Sequence, residues 1–174
     1  MPTKIIKSKP LSKEKKTQKN DRDHTKIQRF EGVEGLKKIY KQTLKDKKPI
    51  FALTAVIPDI NPDLLKWLEK TYIKKRVENK IFVKAISPKT KNSEKYIKAD
   101  KKCYRKTLLI PQDKFPITIE INVFGDKVGL ISYKKKELIG TIIESKEIAK
   151  TMRVFFDLAW ERAQEYQKEW KNRF

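Results

Sequence analysis

Cysteine and histidine are almost absent from this 174-residue chain, and their scarcity excludes several kinds of site. One cysteine, Cys103, rules out an internal disulfide and a zinc site built from several cysteines, and it fits the reducing cytoplasm. One histidine, His24, lies in a polar stretch without the packed partners that a catalytic triad or a metal site needs. We therefore expect no metal, no cofactor and no enzyme activity, in a cytoplasmic protein.

Long hydrophobic runs are missing as well. The longest one, residues 49–58, is interrupted by Thr54 and is shorter than the roughly 20 residues that span a bilayer. The N-terminus has lysines but no apolar segment of the kind that secretory signals contain. The sequence therefore predicts no association with a membrane.

Positive charge is what the chain has in excess, with a formal net charge of +21. Such a field attracts nucleic acid and other polyanions, but a general preference for surface lysine explains the same count equally well. Residues 1–26 are rich in lysine and too poor in apolar side chains to fold alone, which predicts a disordered basic arm. The arm residues predicted to contact DNA or RNA phosphates are Lys13, Lys15, Lys16 and Lys19.

Residues 27–174 show the hydrophobic periodicity of one α/β domain. A helix over residues 32–45, the apolar run at 49–56, a helix from Asn61 to about Glu78 and a strand at 81–87 predict a parallel strand–helix–strand crossover. Alternating residues from Ile117 to Val123 predict a half-buried strand on which Glu120 is exposed to solvent. A Gly125-Asp126 turn, strands at 128–133 and 138–143 and a long C-terminal helix complete a mixed β-sheet with flanking helices.

Two large aromatic residues, Tyr166 and Trp170, lie late in that final helix. Their position predicts burial against a second copy of the chain or against the edge of the same domain. A homodimer is therefore expected.

Three segments resemble the C-terminal effector domain of TrmB-like transcription regulators. They are residues 29–36, residues 123–128 and residues 143–160, in the family's order and spacing. The resemblance implies a phospholipase D-like fold without its catalytic motif. The roughly 26 residues before the match are too few for the family's winged-helix domain, so that domain is expected to be missing or to be carried by a partner.

Active members of that fold carry a His-x-Lys-x4-Asp motif. Counted back from Asp126, the histidine and lysine positions fall on Ile119 and Ile121, so the resemblance implies a cleft floored by aliphatic side chains and unable to hydrolyse phosphodiesters.

The carboxyl ends of the two parallel strands predict a crevice for a ligand. Its predicted polar contacts are Asp59, Asn61, Ser87 and Lys89, although turn and cap roles explain the same residues. The resemblance implies a sugar-like small-molecule effector. The sequence thus favours a non-catalytic, ligand-sensing and dimerising regulatory domain, and the alternative is a protein that binds nucleic acid through the charge of its arm.

Overall fold

A computed structural model describes residues 25–55, 60–134 and 137–172 of the chain. Its strands are β1 (Lys26–Glu31), β2 (Ile50–Leu53), β3 (Val83–Pro88), β4 (Arg105–Ile110), β5 (Glu120–Phe124), β6 (Lys127–Lys134) and β7 (Glu137–Glu144). Its helices are α1 (Gly32–Asp46), α2 (Pro62–Trp67), α3 (Ile73–Glu78), α4 (Lys91–Lys98) and α5 (Lys146–Lys171), with a π-helical turn, Leu68–Tyr72, between α2 and α3.

All seven strands form one mixed sheet in the order β1-β7-β6-β5-β2-β3-β4. β2, β3 and β4 run parallel to one another, and the other neighbouring pairs are antiparallel. The predicted crossover from β2 to β3 and the predicted mixed α/β sheet are confirmed. β1, which begins at Lys26 inside the predicted arm, is a strand that the sequence patterns did not reveal.

Helices cover both faces of the sheet. α1 lies so close to β7 that a Cβ atom at Gly140 would overlap the side chains of Ile39 and Leu36. The helical segment from α2 to α3 shares one core with α1, which includes Leu36, Ile39, Leu64 and Phe124. We call this side of the sheet the α1 face.

α5 alone packs on the opposite side, which we call the α5 face. Phe156, Trp160 and Tyr166 lie against Ile86 and Leu108 of the sheet. Tyr166 is only 4% exposed and stacks on Trp170, so these two rings pack against the edge of their own domain, one of the two predicted outcomes. The long C-terminal helix is confirmed.

Local signals in the sequence explain several of these boundaries. The side chain of Asn61 accepts hydrogen bonds from the amides of Asp63 and Leu64 and thereby caps α2. Thr90 and Ser93 form a reciprocal capping box at the start of α4. Gly125 turns the chain between β5 and β6 with φ of +53°, a conformation that glycine adopts without strain.

Candidate functional site

A cavity of about 510 Å³ opens on the α1 face, where the parallel strands β2 and β3 end. Thr54 and Ala55 follow β2, Ser87 and Pro88 end β3, and all four line it. Carboxyl ends of adjacent parallel strands leave a crevice of this kind because their connections leave in different directions. The predicted crevice is therefore present, and we refer to it as the cleft.

Apolar side chains form most of the cleft wall. They come from the sheet and from the helical segment 62–78 above it: Ile50, Ala52, Ile60, Leu65, Leu68, Ile73, Val83 and Ala85. Four tyrosines and eleven polar or charged residues interrupt this wall. The size and the lining are those of a typical small-molecule site.

Glu120 is the centre of a hydrogen-bonded cluster at the cleft. Tyr40 Oη donates to its Oε1 atom over 2.8 Å, and Tyr133 Oη donates to its Oε2 atom over 2.9 Å. Asn122 Nδ2 donates to Oε1 over 2.6 Å, and the two tyrosine hydroxyls also contact each other. Since the partners come from α1, β5 and β6, the cluster fixes one carboxyl group relative to three elements.

Burial changes the acidity of this cluster. It raises the pKa of the Glu120 carboxyl, and the hydrogen bonds from Asn122, Tyr40 and Tyr133 oppose that rise. Burial and the neighbouring carboxylate raise the pKa of Tyr40 and of Tyr133 well above the usual range. Burial also raises the pKa of Tyr72 to about 12, although its hydrogen bond with Thr43 acts in the opposite direction. The tyrosines are therefore neutral donors throughout the physiological range.

Two guanidinium groups line the cleft, and both are already engaged by the protein. Arg76 is 2% exposed and donates to the carbonyl oxygens of Ile81, Cys103 and Tyr104. Arg105 donates to the carboxylate oxygen Oδ1 of Asp100 over 2.6 Å and to the backbone carbonyl oxygen of Tyr96. The described residues that line the cleft include no lysine, although lysine covers the surrounding helices.

The expected exposure of Glu120 is wrong, and so is the expected position of the two isoleucines. β5 pairs with β2 and β6 on its two edges, side chains pack on both of its faces, and alternate side chains go to opposite sides. Glu120 and Asn122 face the cleft, whereas Ile121 packs on the α5 face and Ile119 lies 36% exposed. The β5 side chains that meet the cleft are therefore a carboxyl and an amide.

The predicted ligand residues do not all meet in the cleft. Ser87 lines it, and Asn61 is occupied in capping α2. Lys89 lies instead beside an open groove of about 660 Å³ at the end of α5, with its ammonium 4.4 Å from the centre of the Trp170 ring. Asp59 and the arm lysines Lys13, Lys15, Lys16 and Lys19 lie outside the described residues.

Sequence patterns missed the central members of the site. Tyr40 sits among the apolar residues of α1 and has the spacing of a core residue, so its hydroxyl gave no separate signal. Glu120 alternates with isoleucines, which is also the pattern of a half-exposed strand. Only the position of β5 in the middle of the sheet distinguishes the two cases.

Two further searches of the described residues bear on the kind of site. No cluster of three or more His, Cys, Asp and Glu side chains is positioned to hold a metal ion. None of the helices has the length and apolarity to cross a membrane.

The sequence matches no model of a known protein family and no curated protein. In three dimensions the chain is similar to TrmBL2, an archaeal chromatin protein with a novel mode of DNA binding, at 16% identity and a TM-score of 0.53. That likeness covers 84% of this chain but only 55% of TrmBL2, so the chain spans about half the length of that protein.

Two bacterial proteins are similar over nearly their whole length. Nuc from Salmonella typhimurium, a phospholipase D family member, has a TM-score of 0.60 at 10% identity, over 79% of this chain and 95% of Nuc. NucT from Helicobacter pylori has a TM-score of 0.54 at 12% identity, over 79% of this chain and 97% of NucT. The chain thus has the phospholipase D-like fold, as the resemblance implied.

Proposed function

We propose that this chain is a non-catalytic regulatory domain whose cleft binds a small organic molecule. The observation that carries the proposal is the Glu120 cluster, which occupies the cleft face of β5. A His-x-Lys pair places both side chains on one face of a strand, and the two residues with that spacing at the cleft are Glu120 and Asn122. Neither supplies the imidazole nucleophile of the hydrolases.

Electrostatics argue against a phosphodiester in the cleft. Glu120 contributes a carboxylate, and the guanidinium groups of Arg76 and Arg105 already bond protein oxygens. A phosphate entering here would lose hydration and meet a like charge, and each cationic side chain among the described lining residues already bonds protein oxygens. Ligand binding without hydrolysis is the function that fits this lining.

Regulation is the role that gives such binding a purpose. The sheet, the helical segment 62–78 and α4 all contribute lining residues, so a bound molecule would fix three parts of the domain relative to one another. The TrmB-like effector resemblance and the similarity to TrmBL2 support a role in transcription or chromatin. Dimerisation and a partner that carries a winged helix belong to the same proposal.

Binding and catalysis are tested together on the unaltered protein. We expect no turnover of bis(p-nitrophenyl) phosphate, and we expect members of a panel of sugars, amines and amino acids to raise the melting temperature. Ser87→Phe fills the cleft and should abolish those rises, whereas Ser132→Phe, on β6 and not among the cleft-lining residues, should retain them. Turnover, or shifts that survive Ser87→Phe, would contradict the proposal.

Nucleic-acid binding is the second candidate function, and the distribution of charge favours it. Exposed lysines cover α1 and the loop after it: Lys38, Lys41, Lys45, Lys47 and Lys48. We expect these lysines and the arm lysines to bind phosphate groups without sequence preference, with an affinity that falls steeply as salt rises.

Matched fourfold variants separate the two basic regions. Replacing Lys13, Lys15, Lys16 and Lys19 by Gln should weaken duplex DNA binding more than replacing Lys38, Lys41, Lys45 and Lys47 by Gln, measured at two salt concentrations. Equal losses would assign the binding to overall charge, and no binding by the unaltered protein at moderate salt would remove this candidate.

A further inference from the structure

The charged side chains that line the cleft do not share the large excess of positive charge of the chain. Its two acidic lining residues are Glu69 and Glu120, and its two basic ones are Arg76 and Arg105. Arg105 is paired with Asp100, and all the described contacts of the Arg76 guanidinium are to carbonyl oxygens. In this protein of net charge +21, Glu120 forms no salt bridge with any lysine or arginine of the part of the chain that the structure describes.

The acceptor capacity of Glu120 is only partly used. A carboxylate offers about four acceptor positions. The hydrogen bonds from Tyr40 and Asn122 occupy Oε1, and the bond from Tyr133 leaves Oε2 with a free position. Since Glu120 also lines the cleft and keeps part of its surface accessible, the cationic group of a ligand can reach it, with or without an N–H donor.

Aromatic side chains surround this carboxylate. Tyr40, Tyr72 and Tyr133 line the cleft, and their hydroxyls are tied to Glu120 or to Thr43. The rings are thereby held in place before a ligand arrives. Tyrosine rings beside a carboxylate favour organic cations, which the ring quadrupole and the negative charge attract together.

We propose that the cleft selects an organic cation, with its ammonium group beside Glu120 and its apolar part against Leu65, Leu68 and Ile73. This inference rests on the proposed ligand-binding function and names the class of ligand.

An organic cation differs from the sugar-like effector that the TrmB resemblance implies. A sugar needs many free donors and acceptors, whereas the hydroxyl protons of Tyr40 and Tyr133 and one of the two N–H donors of Asn122 are spent on Glu120.

A matched pair of probes tests the charge of the ligand without changing its shape. Choline and 3,3-dimethylbutan-1-ol differ by a quaternary nitrogen in place of a carbon. Titration calorimetry with the full chain should give choline an affinity about tenfold higher than that of the neutral alcohol. Inorganic phosphate should not compete with choline.

Replacing Glu120 tests whether the preference for choline depends on its carboxylate. Glu120→Gln keeps the shape of the side chain and should reduce the ratio of choline affinity to alcohol affinity to about one. Glu147→Gln, at an exposed position of α5, should leave that ratio unchanged. Because the choline-to-alcohol ratio is also measured on the unaltered protein, the inference stays testable even if Glu120→Gln does not fold.

The other outcomes distinguish a failure of cation selection from a failure of ligand binding altogether. Equal affinities for the two probes, competition by phosphate or no choline binding would overturn cation selection. If a neutral sugar still raises the melting temperature and Ser87→Phe abolishes the rise, ligand binding stands without that selection. If no member of the panel shifts it, both fall.

Discussion

The two faces of the sheet use the same strands for different purposes. On the α1 face, Glu120 and Asn122 of β5 meet tyrosine hydroxyls in an open cleft. On the α5 face, Ile121 and Val123 of the same strand pack into a closed apolar layer. Because neighbouring residues of a strand point to opposite sides, five residues build a polar site and a core at once.

Charge divides the faces in the same way. Residues 32–102, which include the helices of the α1 face, are strongly basic, whereas α5 carries six basic and five acidic residues. The lysines of the α1 face surround a cleft that itself contains none among its described lining residues. The net charge of the chain therefore reflects the lysines on its surface, and it does not predict the charge of the side chains that line the cleft.

Phe156→Ala should produce the largest effect, because its ring is buried in the apolar core of the α5 face. Phe156 is 2% exposed and packs beside Phe51 and Trp160. Removing the ring should lower the free energy of unfolding by about 3–5 kcal/mol, measured by urea denaturation.

The preceding residue provides the control, since Phe155 is 59% exposed. Phe155→Ala should change stability by less than about 0.5 kcal/mol. Similar losses would mean that the exposed ring is buried in an assembly.

The sequence revealed the α5 face more fully than the α1 face. The apolar residues of the C-terminal segment recur at helical spacing, so periodicity located that helix and its buried residues Phe156 and Trp160. The same pattern also placed Ile148 and Phe155 in the core, which is wrong, because they are 38% and 59% exposed. The Glu120 cluster depends instead on which strands flank β5, which is a matter of long-range topology. Residue identity could predict that no histidine would act in the cleft, but it could not predict which β5 side chains point into it.

Arg76→Met tests how far the α1 face depends on polar contacts. Arg76 is buried and donates to three carbonyl oxygens that join α3 to the segment before β4. Methionine fills a similar volume but leaves those oxygens without their donor, so the free energy of unfolding should fall by about 1–3 kcal/mol. Lys75→Met, on the exposed side of the same helix, is the matched control and should be close to neutral in urea denaturation. A neutral Arg76→Met would show that water replaces the guanidinium.

Alkaline pH should weaken the α1 face through Tyr72. The folded protein holds the pKa of Tyr72 at about 12, above the ordinary value of 10.0. Its contribution to stability is therefore complete below the unfolded pKa and is lost as the pH rises towards the folded one. Relative to Tyr72→Phe, the unaltered protein should lose about 1.4 kcal/mol between about pH 9 and about pH 11. Denaturation of both proteins at each pH measures the difference. A constant difference would show that the hydroxyl ionises in the folded state as it does in the unfolded one.

Lys89→Gln should have the smallest effect on stability. It also tests whether a residue that contacts α5 contributes to ligand binding in the cleft. The Lys89 ammonium lies over the Trp170 ring and 3.7 Å from Glu94, outside the cleft lining. An exposed cation–π contact contributes about 0.5–1 kcal/mol, so urea denaturation should show a loss of that size, with Lys91→Gln as the exposed control. Ligand affinity in the cleft should not change, because the lysine is directed to α5. A loss of ligand affinity in Lys89→Gln would return Lys89 to the binding site that the strand-end pattern predicts, and the ligand would then have to reach from the α1 face to the end of α5.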